Sequence, residues 1–264
     1  MNEQLLPLLL EHTVGKKSSE NLKNINGREQ NNQRLSAWLV QDQLKLFDEA
    51  MKLQLDALTF AAEHFRQWSE ADHVVIAMAC RVFNHLRAAA YLVLAGYWAE
   101  SWHLQRAAYE AMTREVFFSE NQDKVSHWLK KGEMGRVWQW EVTELINRIY
   151  GEETYNAHKG IYRSLNYFVH PNREAIELET WNDKVGNLEI WNSEERKDKE
   201  CIGIRNVLGG YIDMRYLRSQ FHTLLIMASN ATTALKFAGL QGEMDTWVER
   251  CDKMRKDVYA FTNE

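Results

Sequence analysis

Proline stands at only two positions of this chain, 7 and 171. That scarcity constrains the fold more than any motif does. Proline removes a backbone donor and clashes with the preceding helical turn, so a chain without it has little to stop a helix once begun. Glycine, the other common breaker, occurs 13 times among 264 residues. The remaining composition is rich in Ala, Leu, Glu, Lys, Gln and Arg, the best helix formers. A mostly helical chain is the expectation.

Apolar residues make up 45% of the sequence, enough to bury a core in one large domain or two small ones. Ten tryptophans are many for this length, and most are expected as core or interface anchors. The formal net charge of −5 argues against a general nucleic-acid coat or an anionic-membrane binder. It leaves room for a small basic cleft on an acidic body. Cys80, Cys201 and Cys251 are scattered and lack metal spacing, which suits reduced thiols in a cytoplasmic protein. The N-terminus, MNEQLLPLLLEH, lacks the basic patch and the long apolar run of a signal peptide. The longest apolar run, residues 88–99, lies between Arg87 and Glu100. It is well short of the roughly 20 residues that span a bilayer. No membrane partner is expected.

Residues 13–33 are polar and contain Gly and Asn, and read as a linker after a short N-terminal segment. From about Leu35 apolar residues recur at spacings of three and four, giving a long helix to about Trp68. Ser69 or Asp72 caps the next helix, which is apolar on nearly all sides and belongs at the bundle centre. Gly96 marks a turn or kink before another helix through Phe118. A shorter helix ends at Gly132. A further one, from Arg136 to Tyr150, is closed by Gly151, and Glu152 to about Val169 follows. Then the period changes. AIELETW and NLEIW alternate apolar and polar residues, which predicts a small β-hairpin at about 174–192. Helical pattern resumes near Cys201 or after Gly209–Gly210 and runs to about Phe237, with a last amphipathic helix from Glu243 to Phe261. The prediction is an all-α bundle of about seven or eight helices. Residues 34–264 form a single domain that carries the β insertion, and residues 1–33 stand apart.

Chemistry concentrates in RSLNYFVHPN, residues 163–172. On a helix, Arg163, Asn166 and His170 fall at i, i+3 and i+7, one face about 10 Å long. Pro171 ends the helix there, so His170 stands where a side chain can turn into a cleft. A guanidinium can hold a phosphate by two hydrogen bonds and stabilise the charge that builds as phosphorus becomes five-coordinate. An imidazole can move a proton near neutral pH, and the asparagine can orient either partner. The structural alternative is a polar helix end: His170 interacting with the helix dipole and Arg163 paired with an acid. Arg215 and His222 have the same separation inside an apolar helix, without the proline.

Arg163 and His170, with six residues between them, resemble the signature of the HEPN superfamily of all-helical proteins. Ser164 loosely fits the polar position after the arginine. The resemblance implies metal-independent RNA cleavage in a homodimer, as in bacterial toxins and antiviral systems, with no cofactor. Arg163 would stabilise the transition state, His170 would transfer protons and Asn166 would position the phosphate. Upstream, HLQRAAYEAMTRE (103–115) places Arg106 and Glu110 at i, i+4 in an apolar helix. They form either an ordinary helical pair or a support lining the same cleft. GYWAESWHLQRAAYEAMTREVFF followed by YRSLNYFVHPN also resembles an uncharacterised family of bacterial helical proteins, which carries no known activity.

Two other readings stay open. A non-catalytic helical module could engage a protein partner through Trp-rich faces. Two Glu-x-x-His pairs, Glu70 with His73 and Glu100 with His103, could join Glu110, Glu141 or Glu144 in a carboxylate-bridged di-metal site. An acid at the start of a helix is, however, a routine dipole partner.

Overall fold

The computed structural model describes residues 22–64, 68–131, 139–169, 214–237 and 245–262. Every regular element among them is helical. In chain order these are α1 (Leu22–Leu39), α2 (Gln41–Glu63), α3 (Glu70–Ala95), α4 (Trp98–Glu120), α5 (Gln122–Lys131), α6 (Gln139–Val169), α7 (Met214–Phe237) and α8 (Asp245–Thr262). The β-hairpin expected at 174–192 falls outside the described residues. No helix among them is long and apolar enough to cross a membrane.

The first helix differs from expectation. Residues 22–33, read as part of a linker, belong to α1. Their sequence is polar because their partners are polar groups of the fold. Asn32 is buried and its amide donates to the Ala95 carbonyl at 3.1 Å. The Tyr97 hydroxyl donates to the Glu29 carboxylate. Both contacts dock α1 onto the turn between α3 and α4. Tertiary contact, not propensity, holds this segment helical. The long helix expected from Leu35 to Trp68 is instead divided at Val40, whose ψ of 28° leaves the helical range.

The α3 helix begins and ends as its sequence directs. The Ser69 hydroxyl accepts from the Asp72 amide while the Asp72 carboxylate accepts from the Ser69 amide, a reciprocal cap. At the other end Gly96 adopts φ 90°, and the amides of Gly96 and Tyr97 donate to Val93 and Leu92. A residue with a Cβ resists that backbone conformation, so glycine is required.

α4 follows directly, packs along α3 and becomes the most enclosed helix. α7 lies against α2, α3 and α4; α8 closes over α7 and α2; α6 lies on α4. The main core gathers Leu53, Leu86, Trp98, Phe221, Leu225 and Trp247. A smaller one, around Phe118, Val125 and Val142, sits under α5 and the start of α6. Polar groups inside are paired across helices. Gln105 donates to Gln220 at 3.2 Å, and Gln220 donates to the Trp98 carbonyl at 3.2 Å. The Trp247 indole donates to the Leu53 carbonyl at 2.7 Å and pins α8 to α2. Trp247→Phe is expected to lower unfolding stability by about 1–2 kcal/mol through that lost bond and the lost volume. Urea titration checks it, with an unchanged midpoint as the contrary result.

α6 bends at Gly151, where φ is 83° and ψ 176°. The expected boundary between two helical segments is therefore present as a break within one continuous element. It re-aims residues 152–169 along α4, and those residues carry the candidate chemistry.

Candidate functional site

One face of α4 carries a row of charge. Arg106 Nε lies 3.0 Å from Glu110 Oε1, and Arg114 Nη1 lies 3.4 Å from Oε2. These are the i, i+4 pairs that helical spacing allows. Exposures of 26% for Arg106 and 23% for Glu110 place the expected pair between surface and core. From α6 the Tyr162 hydroxyl reaches Glu110 Oε1 at 3.4 Å, and the Arg106 guanidinium stands 5.9 Å from the centre of the Tyr162 ring. Glu110 thus joins two arginines of α4 to the residue that immediately precedes Arg163.

Around that point α6 alternates as an amphipathic helix should. Leu165 is buried and Val169 packs on the core, as the sequence pattern predicts. Arg163 and Ser164 are exposed and Asn166 is half-buried. The Asn166 Oδ1 atom is itself buried, with no hydrogen-bond partner among the described residues. Arg163 and Asn166 therefore share a face beside the Glu110 cluster. His170, the third residue of the expected constellation, lies outside the described residues.

Sequence reading missed His158. It is buried on α6, one turn before Tyr162, and it pairs with Tyr109 of α4 at 2.5 Å. The two rings are stacked with centres 5.2 Å apart. Burial pushes the His158 pKa down to about 4 and the Tyr109 pKa well above the usual tyrosine range. At neutral pH the phenol is the donor and the uncharged imidazole Nδ1 the acceptor. The available signal was spacing: His158 and Leu165 stand at i, i+7 on one helical stripe. Beside this pair a cavity of about 430 Å³ opens between α4, α6 and α7, with Met112, Val116, Ile161 and Ile226 supplying apolar walls. Thr113 and Asn230 are polar groups on its lining.

A second buried group was also missed. Glu115 is almost fully enclosed, its Oε1 has no partner among the described residues, and burial pushes its pKa well above the carboxylate range. It lies within electrostatic reach of Cys80 on α3, whose thiol is pushed up first by burial and then by Glu115. The hint in sequence was a single acid in an otherwise apolar turn, Val116 to Phe118.

A smaller cavity of about 280 Å³ lies between α3, α4 and α5, where Arg81, Arg114 and Trp128 meet over Ala107 and Ala111. Arg81 Nε donates to His85 Nε2 at 3.2 Å. Burial, and then Arg81, lower the His85 pKa, so that ring stays neutral.

The di-metal reading finds no donor set. Glu70, Glu100 and His103 are exposed, and Glu110 is engaged by arginines. No group of three or more His, Cys, Asp or Glu residues among the described residues could hold a metal ion. Compared with protein-family models, curated proteins and solved structures, the chain matches none.

Proposed function

We propose that this chain is a HEPN-like, metal-independent endoribonuclease of the toxin or antiviral type, acting in the cytoplasm as a homodimer. The observation that carries the reading is the Arg106–Glu110–Arg114 cluster tied through Tyr162 to the turn bearing Arg163. Two guanidinium groups share one carboxylate there, so the cluster keeps a positive charge on a protein of net charge −5. Such a local cationic face attracts a polyanion that the whole molecule would repel. Arg163, exposed at its edge, has the reach to grip a phosphate bidentately. Asn166, with its unpartnered carbonyl oxygen, orients a donor such as the substrate 2′-hydroxyl. His170 takes the 2′-hydroxyl proton. The O2′ atom then attacks phosphorus, the bond to the 5′-oxygen breaks, and a proton passes to that leaving oxygen. The products are a 2′,3′-cyclic phosphate and a 5′-hydroxyl. Arg106 and Glu110 hold Tyr162, and through it the Arg163 turn, in position.

The expected result is cleavage of a mixed RNA pool by purified protein in EDTA, with 2′,3′-cyclic phosphate ends. Arg163→Ala and His170→Ala each reduce it by about 10²-fold or more. Equal cleavage by the variants, or none by a folded dimer, overturns the assignment. The rival reading, a non-catalytic binding module, draws on three exposed aromatic residues, Trp38, Tyr91 and Tyr259. A folded dimer that leaves RNA intact would favour it.

A further inference from the structure

We infer that the groove between α3, α4 and α5 is a subsite for one unpaired nucleotide of an RNA strand, its base against Trp128 and its phosphate between Arg81 and Arg114. The inference rests on the ribonuclease reading for its substrate and on separate residues for its argument. Charge comes first. Arg81, Arg106 and Arg114 face a single carboxylate, Glu110, and His85 is held neutral by burial and by Arg81. The other acid of this stretch of α4, Glu115, is buried and protonated. The groove therefore carries a surplus of positive charge.

Donor geometry comes second. Arg81 and Arg106 each make their hydrogen bond through Nε, to His85 and Glu110. A guanidinium has five N–H donors in a planar fork, so the terminal nitrogens of both remain suited to a phosphate. Arg81 is exposed at the lip of the groove.

Shape comes third. Ala107 and Ala111, one turn apart, form a flat floor where a planar ring can approach the helix. Trp128 is half-buried and rests one side on Phe118, with ring centres 5.3 Å apart. Its placement on the groove lining offers an aromatic surface backed by the smaller core. A cavity of about 280 Å³ suits one nucleotide and not a duplex. Stacking on an aromatic ring with arginines on the backbone is how unpaired strands are held without sequence preference. The groove and Arg163 lie on two sides of Glu110, so a strand can occupy both.

The test separates binding from cleavage. A fluorescently labelled, single-stranded 2′-O-methyl RNA octamer cannot be cut through its 2′-oxygen, so its polarisation reports binding alone. The full chain is expected to bind it more tightly than the matching duplex, with affinity falling as salt rises. Trp128→Leu is expected to weaken binding about tenfold. Arg81→Glu, at an exposed position where folding is undisturbed, is expected to weaken it at least as much. Wild-type affinity in Arg81→Glu, or no binding by the parent chain, overturns the subsite. Binding lost in both variants, while unmodified RNA stays uncut by the parent, keeps the subsite and removes the cleavage assignment.

Discussion

Between pH 6.5 and about 4, the parent chain is expected to lose about 3 kcal/mol of stability relative to a His158→Asn variant. The cause is the buried Tyr109–His158 pair. His158 has a folded pKa of about 4 against an ordinary value of 6.5, because burial disfavours the imidazolium. Above pH 6.5 neither folded nor unfolded chain protonates this ring, and its contribution is fully present. As the pH falls below 6.5 the unfolded chain takes up a proton that the folded chain refuses, and stability drops. Below about 4 both states are protonated and the loss is complete. Protonation also removes the Nδ1 acceptor that Tyr109 uses at 2.5 Å. Asparagine keeps an acceptor near that point and does not titrate. Denaturant midpoints for the two proteins across this range give the difference directly. Parallel curves would mean that His158 titrates normally.

The second large effect has the opposite sign. Glu115→Met is expected to raise stability at pH 7 by about 1–3 kcal/mol. The parent residue buries a carboxyl whose Oε1 lacks a partner among the described residues, whereas methionine fills the space with apolar atoms. A carboxyl with a raised folded pKa stabilises fully below its ordinary value of 4.5, and that contribution is lost as pH rises toward the folded value. The benefit of Glu115→Met should therefore grow as the pH rises above 4.5. A variant less stable than its parent at pH 7 would mean that Glu115 has a compensating partner.

The two groups conceal each other. Between pH 4.5 and 6.5, His158 makes the parent more stable with rising pH while Glu115 makes it less stable. Their slopes are equal and opposite there, so the parent curve alone stays flat with respect to both. Only the variants, each compared with the parent, uncover the two titrations. Glu115→Met should steepen the acid loss caused by His158, and His158→Asn should expose the decline caused by Glu115.

Much of the bundle was legible in the sequence. α3 announces itself by Ser69 and Asp72 at its start and Gly96 at its end, and those residues act locally. Gly151 marks the break in α6 because a positive φ needs glycine. The Arg106–Glu110 pair follows from helical spacing alone. Residues 22–33 were less legible. Their polar composition resembles a linker, and the contacts of Asn32 and Glu29 with Ala95 and Tyr97 join parts of the chain more than 60 residues apart. In the candidate site, Arg163 and Asn166 could be assigned to one helical face. Tyr162 gave no sign of its role, since its partner Glu110 lies 52 residues away.

The sequence by itself determined where helices run and which stripe of each is apolar, because caps, glycine geometry and a 3.6-residue period act within a few turns. The tertiary structure alone decided which polar residues share a site. Tyr109 meets His158, Tyr162 meets Glu110, and Arg81 meets Arg114 and Trp128 only through helix packing. Burial, the quantity that makes His158 and Glu115 chemically unusual, belongs to that packing and to no single segment.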